Sequence, residues 1–200
     1  MTTKALGTSI GQKLRGIQKK AGVPYQMLAT AFLIERLVVR LIADERLKKA
    51  LVFKGGFVSL RVYGIGDPVT PGPVATKTPT LLSGEELSWF VYPVETMIAE
   101  KLHALVARGD ANSRSKDIYD LNLFLPKANP KTLMDALNRC FTYRKTELPE
   151  NLSDVLSKLN TTILEKGWAN AITSVPNAPD FKAVFDELTA QVIEIEKSLL

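Results

Sequence analysis

Apolar residues recur at helical spacing through most of the chain. Met27, Leu28, Ala31, Phe32, Ile34, Leu37, Val38, Leu41 and Ile42 form a broad stripe that predicts a core helix from Pro24 to about Ala43. Before it, Thr8–Lys20 is read as a helix closed by Gly22, a residue suited to the left-handed cap. Asp44–Lys49 is read as a turn leading into Leu51-Val52-Phe53, short and apolar like a buried strand. Phe57–Tyr63 could open a further helix. Gly64–Pro79 (GIGDPVTPGPVATKTP) is punctuated by glycine and proline, which remove backbone donors and favour no regular element, so an extended loop is expected. Leu87–Tyr92 (LSWFVY) is aromatic and β-branched and predicts a strand. From Pro93 the pattern is helical again: Pro93–Arg108 with Gly109 beyond its end, then Ser113–Leu125, Pro130–Tyr143, Leu152–Trp168 and Ala178–Leu200. Pro126, Pro149 and Pro176 mark the breaks.

The fold class that follows is α+β and predominantly helical, with few strands and a C-terminal helical bundle. Two parts are expected, residues 1–92 and residues 93–200. No internal repeat interrupts either.

Composition narrows the chemistry. Hydrophobic residues make up 46% and charged residues 24% of the 200, as in ordinary globular proteins, so general disorder is excluded. The net charge of +5 permits a polyanionic partner without requiring one. Its basic runs, at Lys13–Lys20, Arg36–Lys49 and Arg139–Lys145, are also what solvated helix faces look like. One cysteine, Cys140, and one histidine, His103, exclude an internal disulfide and a Cys/His zinc site, so any metal would be a hard cation held by carboxylates. The longest apolar stretch, Met27–Ile42, carries Glu35, Arg36 and Arg40 and is too short to span a membrane. No apolar leader core is visible at the N-terminus, so a cytoplasmic location is expected.

Three short segments could carry chemistry, and each admits a plainer reading. Lys54-Gly55-Gly56 follows a strand, where glycines let backbone N–H groups approach a phosphate; a Gly-Gly turn is also simple geometry. On the helix after Pro93, Lys101 lies off the buried stripe and is free to reach a phosphate, or to sit solvated; His103 fits packing better than catalysis. Asp117 and Asp120 stand three residues apart on one helix face, with Arg114 and Lys116 close before them. Such a pair can hold a divalent cation or take a proton from a nucleophile, or can form ordinary ion pairs.

Taken in order, AFLIERLVVRL, LVFKGG, GDPVTPGP, YPVETMIAEKLHALVARG and NSRSKDIYDL resemble one family, the AbiEii/AbiGii-type nucleotidyltransferase toxins of type IV toxin–antitoxin and phage-defence systems. The resemblance spans about Met27–Leu125 and is most specific in the last two segments. It implies a polymerase-β-like nucleotidyltransferase core that transfers a nucleotide from an NTP to RNA, with tRNA one target class, using Mg2+. It implies a cognate antitoxin carrying a winged-helix domain. It assigns Lys54, Gly55, Gly56 and Arg114 to the nucleotide's phosphates, Lys101 and Asp117 to catalysis, and Asp67 and Asp120 to support. It also implies a strand bearing Asp-x-Asp soon after the glycine motif. No such pair occurs between Gly56 and Tyr92; Arg61-Val62-Tyr63 runs straight into Gly64-Ile65-Gly66-Asp67. The resemblance therefore points to a segment missing at Tyr63–Gly64, and to an alternative role: an inactive remnant that binds a partner such as the antitoxin.

Overall fold

A computed structural model of the chain describes residues 2–53, 69–173, 175 and 177–199. The readings placed on Lys54, Gly55, Gly56, Phe57–Tyr63, Asp67 and the Tyr63–Gly64 join lie outside the described residues. The elements run α1 (Thr3–Ala21), α2 (Tyr25–Ile42), α3 (Glu45–Ala50), β1 (Val74–Pro79), β2 (Glu86–Val91), α4 (Val94–Arg108), α5 (Ser115–Phe124), α6 (Pro130–Tyr143), α7 (Leu152–Ser157), α8 (Thr161–Ala171) and α9 (Phe181–Leu199). The mostly helical α+β class holds, with one two-stranded antiparallel sheet among the described residues.

The chain divides into two compact units: Met1–Tyr63 with Ala75–Val91 and Ser174–Asn177, and Gly64–Val74 with Tyr92–Thr173 and Ala178–Leu200. In the first, α1 begins at Thr3, where the Thr2 hydroxyl accepts from the Ala5 N–H, and ends at Gly22 with φ +68°. The turn expected at Asp44–Lys49 is instead the short helix α3, because the Asp44 carboxylate accepts from the Arg46 and Leu47 N–H groups and caps it. The loop expected through Pro79 gives way to strand β1 at Val74. Its exposed Lys77 pairs with Glu86 across the hairpin at 3.2 Å. Along β2, Leu87, Trp89 and Val91 point inward and alternate with more exposed residues, as a half-buried strand requires. They pack with Val38 of α2 and with Phe53, which forms a parallel bridge to Val91.

The α2 stripe is only partly a core stripe. Leu28 and Val38 are buried, but Met27 and Leu37 are exposed. A charged residue is buried in their place. Glu35 accepts the Leu81 N–H at 2.7 Å and pairs with Arg36 at 2.8 Å, so α2 holds the β1–β2 turn through a carboxylate.

The second unit is a helical bundle. Ile98, Leu105, Ile118, Leu137, Leu164 and Leu188, from α4, α5, α6, α8 and α9, are all fully buried. The helix expected over Leu152–Trp168 is two, α7 and α8, separated at Lys158–Asn160, with Asn160 capping α8 through the Ile163 N–H. An edge-to-face chain of rings, Tyr119–Trp168–Phe181, joins α5, α8 and α9. At the start of α4, the buried Thr96 hydroxyl accepts from Thr70 N–H (3.1 Å) and donates to Thr70 carbonyl oxygen (2.7 Å). Glu95 accepts the Asn129 N–H, the residue that caps α6. The polar positions of Tyr92–Thr96 thus hold neighbouring segments in place.

Candidate functional site: a buried carboxylate pair in a cationic setting

Helices α4 and α5 bring Lys101, Arg114, Asp117 and Asp120 together. The Lys101 ammonium lies 2.6 Å from Asp117 Oδ1 and 2.8 Å from Asp120 Oδ2, bridging both carboxylates. Arg114 Nε approaches Asp117 Oδ2 to 2.6 Å, and Lys116 Nζ closes on Asp120 Oδ1. The Arg114 contact lacks hydrogen-bond alignment, leaving Asp117 Oδ2 with an electrostatic partner only. Lys116 also lies over the Tyr119 ring, 4.8 Å from its centroid.

Burial separates the two signs of charge. The Asp117 and Asp120 side chains are 3% and 8% exposed and Lys101 18%, whereas Arg114 and Lys116 are 50% and 43% exposed. The carboxylates are therefore interior, and two cations form an open rim above them. Three cations against two anions leave an excess positive charge. Burial alone would lower the Lys101 pKa; the attraction of Asp117 and Asp120 and the hydrogen bonds to both outweigh it and hold the ammonium above the ordinary lysine value. Lys101 is thus a built-in partner of two carboxylates and not a solvated side chain.

Residues that carried no sequence-level signal of function set this geometry. Asn112 is fully buried; its Oδ1 accepts the Arg114 N–H at 2.8 Å, an Asx turn that aims the chain into α5. Ser115, first residue of α5, donates to the Leu164 carbonyl oxygen of α8 at 2.6 Å. Opposite it stands Gly167, in mid-helix, where glycine is disfavoured by roughly 1 kcal/mol relative to alanine. The reason is steric: a Cβ there would lie 2.6 Å from the Ser115 hydroxyl.

His103 stands apart from this cluster, as packing suggested. Its ring meets Phe141 edge-on at 4.9 Å, its Nε2 faces the Thr146 hydroxyl at 3.0 Å and its Nδ1 accepts from Arg144 at 3.1 Å. Arg144 is thereby engaged with His103, while Arg139 and Lys145 of the same basic run are exposed.

A divalent cation does not fit the site as it stands. A hard cation needs several free oxygen ligands. Here each oxygen of Asp117 and Asp120 already faces an ammonium or guanidinium, and the described residues hold no group of three metal-ligating side chains. No helix among the described residues is long and apolar enough to cross a membrane.

Residues 58–187 match the family model of the AbiEii nucleotidyl transferase toxin of type IV toxin–antitoxin systems, and the chain belongs to that family. The family makes it a nucleotidyltransferase-like toxin with an antitoxin partner. Lys101, Arg114, Asp117 and Asp120 fall inside the matched span; Lys54, Gly55 and Gly56 precede it. The chain matches no curated protein and no solved structure.

Proposed function

We propose that this toxin binds the triphosphate of an NTP at the rim formed by Arg114 and Lys116 over Lys101, and transfers the nucleotide to RNA, tRNA among the candidates, in the cytoplasm: an RNA hydroxyl oxygen bonds to the α-phosphorus as the α–β phosphoanhydride bond breaks and pyrophosphate leaves. One observation carries the reading: inside the family-matched span, an ammonium and a guanidinium share one buried aspartate. Phosphate oxygens favour this setting, because each is an anion that a half-exposed cation can take up without leaving its carboxylate unpaired. In this reading Asp117 and Asp120 keep Lys101 charged and aimed, and Asp117 takes the proton of the attacking RNA hydroxyl once a phosphate draws Arg114 away. Lys54, Gly55 and Gly56 would add backbone contacts to the phosphates, with Asp67 in support, on a remnant of a polymerase-β-like core. Magnesium is the family expectation; it would need ligands other than Asp117 and Asp120, whose oxygens are each already paired with a cation.

The direct experiment incubates the purified protein with RNA and each labelled NTP and follows label entering RNA. Label transferred by the wild-type chain and lost in Lys101→Met and Asp117→Asn supports the proposal. No transfer with any NTP, at any magnesium concentration, rejects it. A second reading is favoured by the missing Asp-x-Asp between Gly56 and Tyr92. In it the chain binds a nucleotide or a winged-helix antitoxin without performing chemistry, and binding without transfer is its signature.

A further inference from the structure

The cationic cluster depends on where α5 begins, because Arg114 immediately precedes the first residue of that helix and Asp117 lies two residues beyond it. Beside the Asn112 turn, that start is held against α8 by one hydrogen bond and one vacancy. The Ser115 hydroxyl reaches the Leu164 carbonyl oxygen at 2.6 Å, and it can do so only because Gly167 presents no side chain. A Cβ at 167 would stand 2.6 Å from that hydroxyl but 3.7 Å from Ser115 Cβ and from the Ser113 carbonyl oxygen, so the conflict is with the hydroxyl alone. Ser115 is buried and its oxygen sits one bond from Cβ. A methyl group at 167 therefore displaces either the hydroxyl from Leu164 or the start of α5 from α8.

We infer that Ser115 and Gly167 are positioning residues for the cationic cluster, setting the depth of the α5 start against α8 at which Arg114 and Lys101 can share Asp117. The inference deepens the nucleotide reading by adding two residues that touch neither phosphate nor reacting atoms, and its first readout needs no ligand. Ser115→Ala removes the hydrogen bond and leaves the space open. Gly167→Ala fills the space while the hydroxyl is still there. The double variant removes the conflict, since the remaining carbon atoms are at ordinary contact distance.

The test follows the titration of the Lys101 side chain by NMR in the full chain, together with binding of inorganic tripolyphosphate. Leu156→Val, a buried change on α7, serves as a control for loss of stability alone. Gly167→Ala is expected to bring the Lys101 titration down toward the ordinary lysine value and to weaken tripolyphosphate binding about 5- to 10-fold, because small misplacements of charged groups are costly. Ser115→Ala, which loses the hydrogen bond but opens no clash, is expected to weaken binding about 2- to 4-fold, less than Gly167→Ala, and the double variant to match Ser115→Ala, a coupling that independent sites would not give. Leu156→Val should move neither readout. A Gly167→Ala protein with the wild-type Lys101 titration overturns the inference, as does a double variant no better than Gly167→Ala. Failure of the wild-type chain to bind tripolyphosphate would count against the nucleotide reading, while the Lys101 titration would still decide the positioning role.

Discussion

The two units of this chain spend their polar residues differently. In the first, a small hairpin covers part of one helix, leaving Leu33 and Leu37 of α2 68% and 52% exposed, while a buried carboxylate, Glu35, serves a turn. In the second, six helices among the described residues enclose a largely apolar interior, and two buried carboxylates, Asp117 and Asp120, are matched by three cations. A densely packed bundle can hold a buried charge cluster at fixed geometry, because each helix start is pinned by its neighbours. A thin sheet-and-helix layer has fewer ways to do so. The difference teaches where preorganised chemistry can be placed in this molecule.

The sharpest way to break that comparison is to remove one member of the cluster. Asp117→Ala leaves Lys101 and Arg114 facing each other without their shared anion, and should cost about 3–5 kcal/mol of unfolding free energy, measured by urea denaturation. The cluster also has a pH signature. A lysine held above its ordinary value stabilises the fold fully below the unfolded pKa of about 10.5 and loses that contribution as pH rises through the higher folded value. The stability difference between the wild-type chain and Lys101→Met should thus be flat at neutral pH and shrink only above about pH 10.5.

Core truncation tests the packing side. Leu137→Ala, fully buried on α6, should cost about 2–5 kcal/mol, whereas Leu37→Ala on the open face of α2 should stay within about 0.5 kcal/mol. Equal losses would mean that the two units are packed alike. Glu35→Ala should cost about 1–3 kcal/mol by leaving the Leu81 N–H without its acceptor. The smallest expected effect is a gain. Lys145 has φ +55° and closes a Schellman turn, with Thr146 N–H to Phe141 and Lys145 N–H to Thr142, a position that favours glycine. Lys145→Gly should stabilise the bundle by up to about 1 kcal/mol, read in the same denaturation experiment.

Much of this organisation was legible from spacing. The second unit's helices followed the apolar period and the proline breaks, and the inward face of β2 followed its alternation. The errors had local causes. Helix α3 formed because Asp44 is a good N-cap, a signal that a charged six-residue stretch concealed. Strand β1 formed inside a proline-rich stretch because a hairpin partner, β2, was available to it. The break between α7 and α8 lacks both proline and glycine; Asn160 is its only marker. At the site, the structure brings Lys101, Arg114, Asp117 and Asp120 together, while their mutual saturation could not be read from spacing. Asn112 and Ser115 lie in the quoted NSRSKDIYDL segment, but their roles, like that of Gly167, depend on burial and on contacts between segments far apart in sequence.

The most direct test of the account is equilibrium binding of NTP to the full chain in EDTA, compared with the Arg114→Ala/Lys116→Ala variant. Both side chains are half-exposed, so the variant should stay folded while losing the rim. The wild-type chain should bind NTP without magnesium, and the variant should lose at least about tenfold in affinity, as expected for two charge-assisted phosphate contacts. Binding that appears only with magnesium, or that survives loss of both cations unchanged, would contradict it.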